Sequence, residues 1–309
     1  MAYIKEFGSY VPAQVISNEE IGAKVGCDAA WIVNVSGIEE RRFANESVAE
    51  LGWHAARECL DRSGMAAEEL AMILVASSSA ERRIPGPAVT IAKMLGLERT
   101  PAIDLPIASA GTLFGMSLAS RLADSYGAPV LVVGTEKMSS IILRPPMERG
   151  VAILFGDGAG ACLVHPSEGK ARIIDSIIET DGAFAEDLRL DFDRPIEMNG
   201  RSVILQASRK IPRAITEVLT KHCCKAQDVG CFLMHQANQN LIAKVARSLG
   251  VSEGKFFSNI RKYGNTSSAS MLIAATEWSE TEGFRRGIPI CFAAFGAGFH
   301  WGALLAEGV

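Results

Sequence analysis

The stretch Ile103–Gly115, "IDLPIASAGTLFG", passes from an apolar strand through a small-residue turn into a helix with almost no charge, and it sets Ser109 at the junction. Its surroundings recur later in the chain. "EELAMILVASSS" predicts a buried strand over Met72–Ala76 behind a short amphipathic helix, and "AQDVGCFLMHQAN" predicts the same over Cys231–Met234. A helix containing "IAKMLGL" (Ile91–Leu97) follows the first strand, and one containing "IAKVARSLGV" (Ile242–Val251) follows the second. Each copy then has a strand, a small polar turn and an apolar helix, the second reading "FFSNIRKYGNTSSASMLIAATEW" from Phe256 to Trp278. Each closes on another strand, "PVLVVG" (Pro129–Gly134) and "PICFAAFG" (Pro289–Gly296). Four matched elements in one order, at a shift of roughly 150 to 160 residues, read as a duplication rather than a short solenoid repeat.

Continuous apolar strands alternating with helices imply sheets covered on both faces. The helices after Ser109 and after Asn265 are apolar nearly all round, which puts them in the centre, between two sheets. The expected fold is therefore α/β, with two homologous halves, residues 1–165 and 166–309, in five layers α-β-α-β-α. The N-termini of the two central helices would meet in one pocket. That pocket would combine Ser109 with His235, at the carboxyl end of a strand, and Asn265, and such strand ends are where ligands bind in α/β sheets. "PVLVVG" is a continuous apolar run with no charge to protect an exposed edge.

Composition narrows the function. With 309 residues, 48% of them hydrophobic, and a net charge of −4, the chain reads as a soluble globular protein without a basic field for nucleic acid. No long apolar span or signal peptide is evident, and membrane association is not expected. The seven cysteines are odd in number and follow no metal spacing, so no metal site is expected and a reducing cytoplasm is the natural setting.

The stretches "WIVNVSGIEERR" (Trp31–Arg42), "RGVAILFGDGAGA" (Arg149–Ala161), "HQAN" (His235–Asn238), "YGNTSSAS" (Tyr263–Ser270) and "FGAGFHWGA" (Phe295–Ala303) together carry a specific resemblance. The sequence resembles the β-ketoacyl-acyl carrier protein synthase III family of the thiolase superfamily over nearly its whole length. The resemblance implies a thiolase-like fold and a homodimer. It implies a transferase of fatty acid biosynthesis that takes an acyl group from acyl-CoA and condenses it with malonyl-acyl carrier protein. Coenzyme A thioester enters as substrate, and no cofactor is implied. The family's Cys-His-Asn triad carries His235 and Asn265 over directly, but the cysteine position is Ser109. The resemblance further implies an oxyanion hole from the backbone N–H groups of Ser109 and Ala297, an adenine contact at Trp31, a phosphate-side arginine at Arg149 and a polar pocket residue at Asn238. Ile84 falls where the family places a residue that reaches the partner subunit's acyl pocket. Two family arginines are missing: one position is Val35, and the other, two residues after "HQAN", is Asn240. A basic patch for the carrier protein would then rest on Lys244, Arg247, Arg209, Lys210 and Arg213.

Three readings of Ser109 stand side by side: a nucleophile in a divergent acyltransferase, an engineered replacement of the cysteine, or a helix cap in a silent homologue that binds carrier protein. A thiol of pKa about 8.5 becomes largely thiolate when a helix N-terminus lowers it, whereas a hydroxyl needs a base, and His235 is the histidine whose motif places it nearby. An oxyester is also a poorer electrophile than a thioester, so condensation would suffer more than acyl transfer. That leaves a serine-dependent acyltransferase or acyl-CoA hydrolase as a further alternative. His54, His165, His222 and His300 read as surface or packing residues.

Overall fold

The computed structural model describes residues 1–192 and 194–309. Nine strands form one mixed sheet. From one edge the order is Cys231–Met234, Pro289–Gly296, His300–Gly308, Ala171–Thr180, Ala2–Tyr10, Asp157–His165, Val130–Lys137, Met72–Ala76 and Ala102–Leu105. The two halves join where Ala2–Ile4 pairs antiparallel with Ala171–Ile173.

Strand alternation builds the layers. In Met72–Ala76, Met72 and Leu74 enter a central apolar cluster with Leu113 and Met116 of the Gly111–Tyr126 helix and Met271 and Leu272 of the Ser270–Thr281 helix. Ile73 and Val75 point the other way, onto the helices Val48–Ser63 and Pro87–Met94. In the second half Leu233 faces the centre, while Phe232 and Met234 face Gly200–Lys221 and Gln239–Leu249. Because a strand turns successive side chains to opposite faces, each half-sheet is covered on both sides. The five layers follow: outer helices, half-sheet, the two central helices, half-sheet, outer helices.

Two expectations change. The stretch after Lys255 does not form a tenth strand; it makes a single parallel bridge, Phe232 with Phe256. Nor is "PVLVVG" an edge: Val130–Lys137 lies between Met72–Ala76 and Asp157–His165, paired on both sides. A strand buried on both faces is apolar throughout whether or not a neighbour covers its edge. On this side of the sheet the edge strand is Ala102–Leu105, where Ile103 is 44% exposed.

A smaller apolar cluster (Ile21, Ile32, Phe43, Ile153) forms a cap beside the strand ends. The fully buried Arg41 pins it, donating to the Asn18 side chain and to the carbonyl of Ile153, each at 2.8 Å. Burial lowers its pKa to about 10. Asp157 of "GDGAG" is a similar strut, accepting from the N–H groups of Ala44 and Ser139 and from the Ser139 hydroxyl. Among the described residues no helix is long and apolar enough to cross a membrane.

Candidate active site

Ser109 sits two residues ahead of the Gly111–Tyr126 helix with φ +62°, a left-handed conformation that non-glycine residues rarely adopt. It does not cap the helix. The N-cap is Ala110, which offers no side-chain acceptor, so the capping reading falls. The "GAG" hairpin closes over this turn so tightly that a Cβ on Gly296 would lie 1.9 Å from the Ala108 carbonyl oxygen. Gly298 takes the unusual φ, +135°, while Ala297 keeps an ordinary one.

The second half supplies the partners. The Ser109 N–H donates to Ser267 Oγ at 3.1 Å, and the two Oγ atoms are 3.5 Å apart. Ser267 is also left-handed, φ +46°, and its N–H donates to Asn265 Oδ1 at 2.8 Å. Ser268 locks the loop to the first half: its hydroxyl donates to the Ile107 carbonyl, its N–H to Glu136, and its carbonyl accepts from Thr112. Glu136, fully buried, also accepts from the Ser78 N–H and from the hydroxyls of Ser78 and Ser79. Strain at two adjoining residues persists where the surroundings over-determine it.

His235 ends its strand with its N–H on the Ala293 carbonyl. Its ring Nδ1 lies 2.6 Å from Ser270 Oγ, which also accepts the Gln236 N–H. Burial pushes its pKa down to about 4, partly opposed by a hydrogen bond with the Ser267 backbone, so the ring is neutral at neutral pH. Asn265 is held by its backbone between Leu154 and Gly156. With Oδ1 committed to Ser267, its remaining side-chain function is the Nδ2 donor. No hydrogen bond joins Ser109 to His235 among the described residues; the hydroxyl beside Ser109 is that of Ser267.

Ser109, His235 and Asn265 line one narrow cavity of about 100 Å³, walled by apolar residues that include Phe155, Met198, Val203 and Leu241. A wider cavity of about 780 Å³ reaches the neighbouring Ala108 and Ala297 and is bounded by Ser77–Arg83. Ala297 thus borders the second cavity rather than the first.

The outer residues are placed less as expected. Arg149 lies over the Trp31 ring, 5.1 Å from its centroid. Asn238 lines the narrow cavity, but its side chain is engaged: Nδ2 donates to the Val35 carbonyl and Oδ1 accepts the Asn240 N–H. The Asn240 side chain donates to the carbonyls of Asn34 and Val35. The two positions that lack the expected arginines are therefore neighbours, and a neutral asparagine clamp occupies them. Ile84 is 88% exposed and borders neither cavity. Lys210 is spent on Asp181 and on the Trp301 ring, and Arg247 pairs with Glu253. Lys244, Arg209 and Arg213 remain exposed. His300 packs under the "GAG" hairpin, its Nδ1 2.7 Å from Thr180 Oγ1. Sequence reasoning missed Ser267, Ser270 and Glu136. The signal for Glu136 was a lone carboxylate ending the apolar run "VLVVGTE".

Comparison with known proteins places these residues among relatives. The family model for 3-oxoacyl-[acyl-carrier-protein] synthase III matches residues 103–182, and that for the C-terminal part of the same synthase matches residues 219–307. A β-ketoacyl-[acyl-carrier-protein] synthase III from Oleidesulfovibrio alaskensis is 34% identical, with 98% of each chain covered. The crystal structure of the corresponding synthase from Aquifex aeolicus superposes with a TM-score of 0.94 at 34% identity, covering 99% of this chain and 100% of that one. The priming β-ketosynthase of the R1128 polyketide pathway has a TM-score of 0.92 at 29% identity, covering 100% and 96%.

Proposed function

The chain belongs to the 3-oxoacyl-[acyl-carrier-protein] synthase III family, and on that premise we propose that Ser109 is the acyl-accepting nucleophile of a condensing acyltransferase. The observation that carries this is the left-handed Ser109 on the wall of a narrow apolar cavity that also holds His235 and Asn265. A narrow apolar passage suits the linear thioester arm of coenzyme A or of acyl carrier protein, with Trp31 and Arg149 outside it as the nucleotide-side contacts.

In the first half-reaction Ser109 Oγ attacks the acyl-CoA carbonyl, the carbon–sulfur bond breaks, and CoA leaves as the thiol. The developing oxyanion is assigned, on the family resemblance, to the backbone N–H groups of Ser109 and Ala297. Stabilisation by the first requires the acyl oxygen to share or displace Ser267 Oγ. In the second half-reaction malonyl-carrier protein loses CO₂, and its enolate carbon attacks the acyl-Ser109 ester, releasing 3-oxoacyl-carrier protein. The enolate oxygen is held by two donors, Asn265 Nδ2 and His235 Nε2. Ser270 Oγ already accepts the Gln236 N–H and can give its own proton to His235 Nδ1, which leaves Nε2–H as the ring's donor. A neutral ring in a dry site suits donation to an enolate.

The reaction belongs to fatty acid and related acyl-chain biosynthesis. A homodimer formed through the Ala102–Leu105 edge would cover the unpaired strand there and bring Ile84 toward a partner. A cytoplasmic setting agrees with seven free cysteines. The test is direct: incubate the protein with short acyl-CoAs, digest it, and weigh the Ser109 peptide. An acyl mass on that peptide supports the assignment; CoA release with the peptide unmodified defeats it.

A further inference from the structure

Ser267 has no task in the scheme above, yet it is the residue most closely engaged with Ser109. It is 2% exposed, it stands in a left-handed conformation that favours glycine, and its place is over-determined by the Asn265 carboxamide on its own N–H and by the three bonds of Ser268. What this arrangement delivers is a hydroxyl oxygen 3.1 Å from the Ser109 nitrogen and 3.5 Å from Ser109 Oγ. Among the described residues no imidazole, carboxylate or amine hydrogen-bonds Ser109 Oγ; the neighbouring group is this second hydroxyl.

We infer that Ser267 is a catalytic residue of the acylation step, its hydroxyl relaying the proton that Ser109 must lose; the inference rests on Ser109 being the nucleophile. As Ser109 Oγ bonds to the acyl carbon and the carbon–sulfur bond of acyl-CoA breaks, the Ser109 proton passes to Ser267 Oγ. Ser267's own hydroxyl proton passes to the departing sulfur. Acyl-Ser109 and CoA thiol result, Ser267 ends neutral with one proton as it began, and no strong base is needed. The relay is specific to an oxygen nucleophile: a cysteine at residue 109 would attack as a thiolate that has already lost its proton.

That specificity gives the test. Ser267→Gly and Ser267→Ala are made in the unaltered protein and in Ser109→Cys, and single-turnover acylation by acetyl-CoA is followed by CoA release and intact mass. Glycine removes the hydroxyl while accepting the left-handed backbone without strain, so it separates loss of chemistry from loss of fold. The expected result is a fall of about a hundredfold at Ser109, the scale of losing a positioned proton-transfer group, against less than about threefold at the cysteine. Equal losses in the two backgrounds would reduce Ser267 to a brace for the Ser109 turn and overturn the relay, as would full activity of Ser267→Gly at Ser109. An unaltered protein that carries no acetyl group on Ser109 would overturn the nucleophile assignment itself, before any change at Ser267.

Discussion

The junctions that lead into the two central helices differ sharply in length. In the first half a four-residue strand, Ala102–Leu105, is followed by five residues and then the central helix at Gly111. In the second half the strand has shrunk to one bridge at Phe256, and a longer loop with the short helix Ile260–Tyr263 leads to the central helix at Ser270. Both junctions keep one left-handed serine, Ser109 and Ser267, 158 residues apart and hydrogen-bonded to each other. The short junction is an elbow that can present one atom. The long one can spread Asn265, Ser267, Ser268 and Ser270 over several directions. Two turns thus meet at one pocket, and the difference in loop length divides them into a presenter and a holder.

The largest effect should come from the presenter. Ser109→Ala is expected to remove the covalent adduct and lower 3-oxoacyl product from acyl-CoA and malonyl-carrier protein by about a thousandfold or more, the scale of losing a nucleophile. Ser109→Cys should raise condensation, and with little cost to the fold, because the Ser109 hydroxyl caps nothing. A Ser109→Ala protein as active as its parent would erase the division and leave a silent carrier-binding subunit.

Next come the holders. His235→Ala and Asn265→Ala should each slow CO₂ release from malonyl-carrier protein by about a hundredfold, as for one oxyanion-type donor. Decarboxylation at the parental rate in both variants would mean that the long junction does not face the enolate.

A smaller effect concerns stability in acid. His235 titrates near 6.5 when unfolded and at about 4 in the folded protein, because burial disfavours the charged ring. Below about pH 6.5 the unfolded chain binds a proton that the folded chain refuses. The contribution is thus fully present above that pH and is lost as pH falls through 4, in total about 3 kcal/mol. Urea unfolding across this window should show a steeper decline for the parent than for His235→Asn; parallel declines would place the ring in contact with water.

The smallest effect on chemistry is expected at the edge beside the elbow. Ile103→Glu puts like charges on either side of a strand-to-strand dimer contact and should weaken association by about tenfold or more while leaving the monomer folded. Sedimentation of the unaltered protein as a stable monomer at micromolar concentration would remove the dimer from the scheme.

By itself the sequence determined the five layers and the meeting of Ser109, His235 and Asn265. Each of these follows from local patterns: strand alternation, all-round apolar helices, and motifs fixed to strand and helix ends. Only the tertiary structure decided which strand is the edge, because Val130–Lys137 and an uncovered strand would be equally apolar. It alone brought Val35 beside Asn238 and Asn240, so that two missing arginines became one neutral clamp. It alone tied Glu136 to Ser268 and set Ser267, rather than His235, against the Ser109 oxygen. Those contacts join residues from opposite halves, and their existence depends on how the half-sheets dock across the central helices. Docking is fixed by packing of whole surfaces, to ångström precision, and a hydrogen bond is made or lost within less than one ångström. A pattern of polar and apolar residues names the layers but does not carry that precision.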